Sequence, residues 1–161
     1  FALHTGVRTF EAAAYLRRMG AQTQAVKKLF NSSLEDYTYK SQLVTQAEMY
    51  MGCAVVCSAE LPPEMNVVIP QAANDLLTIN GIQASVVAVN VGNQISVSAR
   101  SMGEVNVQLI MEKLGGGGHL TMAGAQLKDM SIEEARQKIL EAIAEYREEQ
   151  KKEQSRHTVR A

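Results

Sequence analysis

The chain has 161 residues and a mass of 17.6 kDa, room for one compact domain or a domain and a half, so two large domains are excluded. Hydrophobic residues at 46% and charged residues at 20% exclude a disordered chain, and with no Trp the core falls to Val, Ile, Leu, Ala and eight Met. Sixteen Lys and Arg against seventeen Asp and Glu leave a net charge of −1, which excludes a broadly basic nucleic-acid coat, so any polyanionic ligand must be held locally. Cys53 and Cys57 are too few for a disulfide framework, and no secretory leader or membrane-length apolar run is present, so a reducing cytosolic setting is expected. The chain opens Phe1-Ala-Leu-His4 without Met, as expected of a piece of a longer protein.

In chain order, Thr9 is placed to cap a helix over Phe10–Met19, which Gly20 ends in a left-handed turn. A second helix is expected over Thr23–Phe30. A third starts at Ser33, which forms a capping box with Asp36, and runs to about Glu48. The apolar run Met51–Ala59 is rich in small and β-branched residues and reads as a buried strand closed by Pro62-Pro63. Helical spacing over Asn66–Ile79 tolerates Pro70 only in the first turn. Two β-rich runs, Ile82–Val91 and Gln94–Ala99, flank Gly92-Asn93 as an antiparallel hairpin. Asn106–Leu114 is a helix, Gly115–Gly118 a loop and Met122–Leu127 a short returning strand. Ser131 and Glu134 cap the last helix, whose apolar stripe ends at Tyr146; beyond it the charged run is expected to project and fray. The order specifies an α/β fold with a mixed sheet flanked by helices, preceded by an all-helical segment.

Gly115-Gly-Gly-Gly-His119 is the leading candidate site. Consecutive glycines permit positive φ and leave backbone amides uncovered, so that they can converge on an anion with His119 donating from the edge. The plain alternative is a flexible link. At the end of the preceding hairpin, Ser98 and Arg100 share a face by alternation, and a guanidinium is suited to bidentate phosphate recognition; a surface arginine at a strand end is the ordinary alternative. Cys53 and Cys57 are four apart along one strand, too far for a disulfide, and read as packed thiols. His4 and Arg8 flank Thr5-Gly6, where they either line a cleft with a missing domain or belong to a loose end, and His157 is expected in solvent. No metal-ligand spacing, nucleophile elbow, phosphate-binding P-loop or dinucleotide fingerprint is present, so no complete catalytic site is visible.

Together, Ser98-Ala-Arg-Ser101 and Gly115-Gly-Gly-Gly-His-Leu-Thr-Met-Ala-Gly124 resemble the DHH-associated domain of the DHH phosphoesterases. His4-Thr-Gly-Val-Arg-Thr-Phe-Glu-Ala-Ala-Ala-Tyr-Leu-Arg17 is similar to the closing segment of the DHH domain in the bacterial cyclic-di-AMP phosphodiesterases, although relatives often carry Arg where His4 stands. The resemblance implies a DHH-domain tail over residues 1–32, a linker helix over 33–50, a nucleotide-binding domain over 51–146 and a charged extension over 147–161. It implies that Ser98, Arg100, Gly115, Gly116, Gly117, Gly118 and His119 contact substrate. It also implies that two Mn²⁺ ions sit in the DHH domain of a membrane-anchored parent, with this segment facing the cytoplasm, binding no metal, making no membrane contact and inactive alone. The implied partners are that DHH domain and a cyclic dinucleotide or short oligonucleotide, with a homodimer left open. The implied reaction opens the cyclic dinucleotide to a linear one. The alternatives are a short-RNA exonuclease of the same family and a non-catalytic RNA-binding module, as similar domains serve in alanyl-tRNA synthetases; balanced charge disfavours the latter.

Overall fold

A computed structural model of the chain describes residues 6–58 and 61–158, and the chain divides into two compact units, Phe1–Tyr37 and Thr38–Ala161. The first unit holds helices α1 (Val7–Arg18) and α2 (Thr23–Lys28), neither of which buries a residue. The start of α1 corrects the expected cap: Gly6, extended at φ −73° and ψ 163°, occupies the N-cap, and Thr9 lies inside the first turn with its amide donating to the Gly6 carbonyl at 3.0 Å. Gly20 ends this segment as expected, at φ +99°.

Helix α3 (Leu34–Thr45) begins with the expected capping box. The Ser33 amide donates to Asp36 Oδ2 at 3.1 Å, and the Asp36 amide donates to Ser33 Oγ at 2.9 Å. It stops before Glu48, because Glu48–Tyr50 is a short strand, β1, paired antiparallel to β2 (Cys53–Ser58). Met51 and Gly52 make the turn between them at φ +49° and +81°, so the run read as one strand from Met51 begins two residues later.

A single turn of 3₁₀ helix (Pro63–Met65) and helix α4 (Val68–Leu76) cross over to β3 (Ala84–Val91), which is parallel to β2. Pro70 lies in the first turn of α4, where its missing N–H leaves no hydrogen bond unmade. Strand β4 (Gln94–Ser101) returns antiparallel through Gly92-Asn93, as the hairpin reading required. Helix α5 (Val107–Lys113) is capped by Asn106, whose Oδ1 accepts from the Gln108 amide at 3.1 Å. Next come β5 (Gly117–His119), β6 (Met122–Lys128) and α6 (Ile132–Thr158). The result is the expected α/β fold: among the described residues, six strands in the order β1-β2-β3-β4-β6-β5, with only β2 and β3 parallel.

Both faces of the sheet carry a core, and their memberships differ. On one face Ile95, Val97 and Ala99 of β4 and Ala123, Ala125 and Leu127 of β6 pack with Ile110 and Met111 of α5 and Ile139 and Ile143 of α6. On the other, α4 packs over Ala54 and Val56 of β2 and Val87 and Val89 of β3, and no buried member of that cluster comes from β4, β5 or β6.

Helix α6 does not end where its apolar stripe does. Beyond Tyr146, Arg147 donates through Nη2 to the Met51 carbonyl at 2.9 Å and to Gln83 Oε1 at 2.6 Å, and Glu149 pairs with Lys113 at 2.9 Å, which also pairs with Glu145 at 3.3 Å. These tethers hold α6 to the domain as far as Glu149, while Lys151, Lys152, Glu153 and Ser155 beyond them are exposed on a helix that projects from it.

Candidate functional site

The geometry of the Ser98 and Arg100 segment follows from alternation. Since Ile95, Val97 and Ala99 face the α5/α6 core, Ser96, Ser98 and Arg100 face the opposite side. Register extends that row across the sheet: Arg100 pairs with Met122 and Met122 with His119, while Ser98 pairs with Gly124 and Gly124 with Gly117. Helix α4 packs over β3 and reaches β4, and its buried cluster takes no member from β4, β5 or β6. What remains is an open cleft of about 640 Å³, floored by Ser98, Arg100, Gly117 and Met122 and walled by Asn66, Val67 and Pro70 at the start of α4. Val67 occupies the helix N-cap with no side-chain hydrogen bond, so first-turn amides of α4 lack a side-chain cap at this wall.

Arg100 is the strongest electrostatic feature of the floor. It is half-buried, its Nη1 donates to the neighbouring Ala99 carbonyl at 2.8 Å, and its Nε is buried without a hydrogen-bond partner. Among the described residues, no carboxylate pairs with it. Burial pulls its pKa below the usual guanidinium value, yet a guanidinium stays charged at any physiological pH. A partly desolvated cation with an unmet donor is stabilised by an anion brought to it. His119 lies exposed at the outer end of the same row.

The four glycines serve different purposes. Gly115, at φ +75°, ends α5: its amide donates to the Glu112 carbonyl at 3.0 Å, and the Gly116 amide donates to the Met111 carbonyl at 2.8 Å. This is a Schellman motif, so those two amides are spent on the helix end and do not face a ligand. At Gly116 a Cβ would come within 2.2 Å of the Gly124 carbonyl oxygen, and at Gly118, φ +152°, within 2.4 Å of the Met122 carbonyl oxygen. Close approach of β5 to β6 demands both. Gly117 differs, because it has no positive φ and an added Cβ would meet nothing within 4 Å. Its missing side chain leaves the cleft floor open. The segment is also not the loop expected from its composition, since Gly117–His119 pairs with Met122–Gly124 as β5. Glycine removed the usual strand signal; the ladder with β6 supplies the order instead.

The other candidates fall elsewhere. Ser101 points to the apolar side, and its Oγ donates to the Val105 carbonyl at 2.6 Å. Cys53 and Cys57 are free thiols within the sheet, the first buried and the second half-buried; burial pushes Cys57 up to about 11, the reverse of an activated nucleophile. His4 lies outside the described residues, as does the side chain of His157, while Arg8 is exposed on α1. Among the described residues, no group of three or more His, Cys, Asp or Glu could hold a metal ion, and no helix is long and apolar enough to cross a membrane. Sequence reasoning missed Val67, Pro70 and Met122, which line the cleft through a crossover and a strand register that residue spacing does not reveal.

A model of the DHHA1 domain matches residues 56–149, more than half of the chain and spanning β4, β5 and β6. The chain is 47% identical over 148 residues to the cyclic-di-AMP phosphodiesterase GdpP of Geobacillus thermodenitrificans, covering 91% of this chain and 22% of that protein. It is 45% identical over 148 residues to the cyclic-di-AMP phosphodiesterase PdeA of Listeria monocytogenes, with the same coverages. It thus spans about a fifth of the length of these relatives. Among solved structures, an exopolyphosphatase-related protein from Bacteroides fragilis superposes with a TM-score of 0.74 at 20% identity, over 88% of this chain and 44% of that one, a likeness of fold. With its glycine run and its Ser-x-Arg-Ser segment inside the matched region, the chain belongs to the DHHA1 domain family.

Proposed function

We propose that this chain is the nucleotide-holding part of a cyclic-di-AMP phosphodiesterase. In this role Arg100, Ser98 and His119 bind phosphate over the open floor at Gly117, and the parent enzyme hydrolyses the cyclic dinucleotide to a linear one. The observation that carries the reading is the buried, unpartnered Nε of Arg100 at the base of an open cleft between the start of α4 and strands β4 and β6. Identity above 40% to relatives named for that activity supplies the substrate class.

The described residues do not fit a two-metal centre, because they contain no ligand cluster. In this reading the Mn²⁺ ions, their Asp and His ligands and the activated water belong to a DHH domain outside this chain. This chain's residues bind and orient: Arg100 neutralises phosphate charge, Ser98 adds a hydroxyl donor, and the glycine floor lets the phosphate approach backbone closely. Residues 1–32 are proposed as the tail of that DHH domain, 33–50 as the linker, whose last three residues join the sheet as β1, 51–146 as the binding domain and 147–161 as a charged extension. The unburied apolar side chains of α1, among them Val7 at 73% and Leu16 at 57% exposure, support a tail that completes another domain.

The test is a calorimetric titration of the chain with a linear dinucleotide. Arg100→Ala is expected to weaken binding by about tenfold to a hundredfold, the loss of roughly 1.5–3 kcal/mol in a charge-assisted hydrogen bond. Affinity within twofold of the parent chain would make Arg100 an ordinary surface residue and remove the reading's main support.

A further inference from the structure

The cleft is not uniformly polar. Opposite the Arg100 and Ser98 floor, the start of α4 presents its N-cap Val67, 55% exposed, with Pro70 beside it, and the floor itself carries Met122, 51% exposed. Phosphate and ribose need none of these. Large apolar side chains left in water at the mouth of an anion cleft gain free energy when a flat apolar body covers them. Methionine suits that contact, since its polarizable thioether packs well against aromatic rings.

Resting on the phosphate site proposed above, we propose that Val67, Pro70 and Met122 form a nucleobase slot. A base enters with its faces against these side chains while its 5′-phosphate reaches Arg100, and Asn66, exposed on the same wall, meets the base edge with an amide that both donates and accepts. Register supports the pairing of functions, because Met122 is the direct cross-strand partner of Arg100, so base contact and phosphate contact are adjacent on the floor. The cleft volume of about 640 Å³ lies within the range of about 300–1,000 Å³ usual for small-ligand sites.

Adenosine 5′-monophosphate and ribose 5-phosphate share sugar and phosphate and differ in the base. Titrated calorimetrically into the 161-residue chain, the nucleotide is expected to bind about tenfold tighter, the scale of one base stacked on side chains. Val67→Ala combined with Met122→Ala is expected to bring the nucleotide down to the affinity of ribose 5-phosphate without altering the latter. Arg100→Ala is expected to weaken both ligands equally. Both positions are more than half exposed, so the fold tolerates the truncations, and circular dichroism verifies it. Equal affinity of the two ligands for the parent chain, or a doubly truncated chain that still prefers the nucleotide, would overturn the slot while leaving the phosphate site standing. Failure of the parent chain to bind either ligand would overturn the phosphate site as well.

Discussion

Strands β4 and β6 carry two different chemistries on their two faces. Toward α5 and α6 they present Ile95, Val97, Ala99, Ala123, Ala125 and Leu127, all nearly solvent-free. Toward the cleft the intervening positions are Ser96, Ser98, Arg100, Met122, Gly124 and Gln126, none of which is a buried member of the hydrophobic cluster under α4. Burial of one face stabilises the fold, at about 25 cal/mol per Å² of apolar area removed from water. The other face is left polar and open at the same strands, so it can hold a ligand without disturbing the core. Substitutions on the two faces should therefore separate stability from binding.

The largest effect is expected at the junction of the two faces, in the glycine run. Gly116→Ala forces a Cβ to within 2.2 Å of the Gly124 carbonyl oxygen, which only movement of β5 away from β6 relieves. Thermal unfolding should show a loss of about 3 kcal/mol or more, the upper end for overpacked sites. The neighbouring Gly117→Ala has no such contact and no positive φ, so its stability should stay within about 1 kcal/mol of the parent, while nucleotide affinity falls because the cleft floor is raised. If both variants unfold at the parent temperature, the close approach of β5 to β6 is not real.

On the covered face, Ile139→Ala removes a fully buried side chain between α6 and the sheet. A loss of about 2–5 kcal/mol in denaturant unfolding is expected, with ligand affinity of the remaining folded protein unchanged. A matching fall in affinity would show that the α6 packing and the cleft are coupled, and the separation of faces would fail.

Much of the fold was legible because its signals are local. The Ser33/Asp36 and Ser131/Glu134 capping boxes appear as reciprocal hydrogen bonds, and the Gly92-Asn93 hairpin and the first-turn Pro70 stand where their chemistry requires. What escaped depends on contacts distant in sequence. β1 is three residues long and ordered by pairing with β2; β5 is strand only because β6 lies beside it. The turns of α6 beyond Tyr146 owe their place to Arg147 reaching the Met51 carbonyl, 96 residues away. At the site, alternation along one strand sufficed to place Ser98 with Arg100. It could not show that Gly115 and Gly116 close a helix while Gly117 stands open, since the division rests on backbone geometry that four identical letters conceal.

The finest test of the comparison uses two serines three residues apart on β4. Ser101 belongs to the structural side: its Oγ donates to the Val105 carbonyl at 2.6 Å and accepts from the Gly103 amide at 3.3 Å, tying the end of the strand to the loop that leads into α5. Ser101→Ala leaves both groups short of a partner and should lower stability by about 1–3 kcal/mol. Ser98 sits on the cleft side, 8% exposed, between Val87 and Gly124 in the register. Ser98→Ala removes a hydroxyl proposed to contact the ligand, so unfolding should shift by less than about 0.5 kcal/mol while nucleotide affinity falls about fivefold, the scale of one neutral hydrogen bond. Because the two substitutions delete the same atom from the same strand, strand propensity and desolvation largely cancel between them. The difference left is what lies on each side of the sheet: a carbonyl and an amide of the chain itself beside Ser101, and an open cleft in front of Ser98.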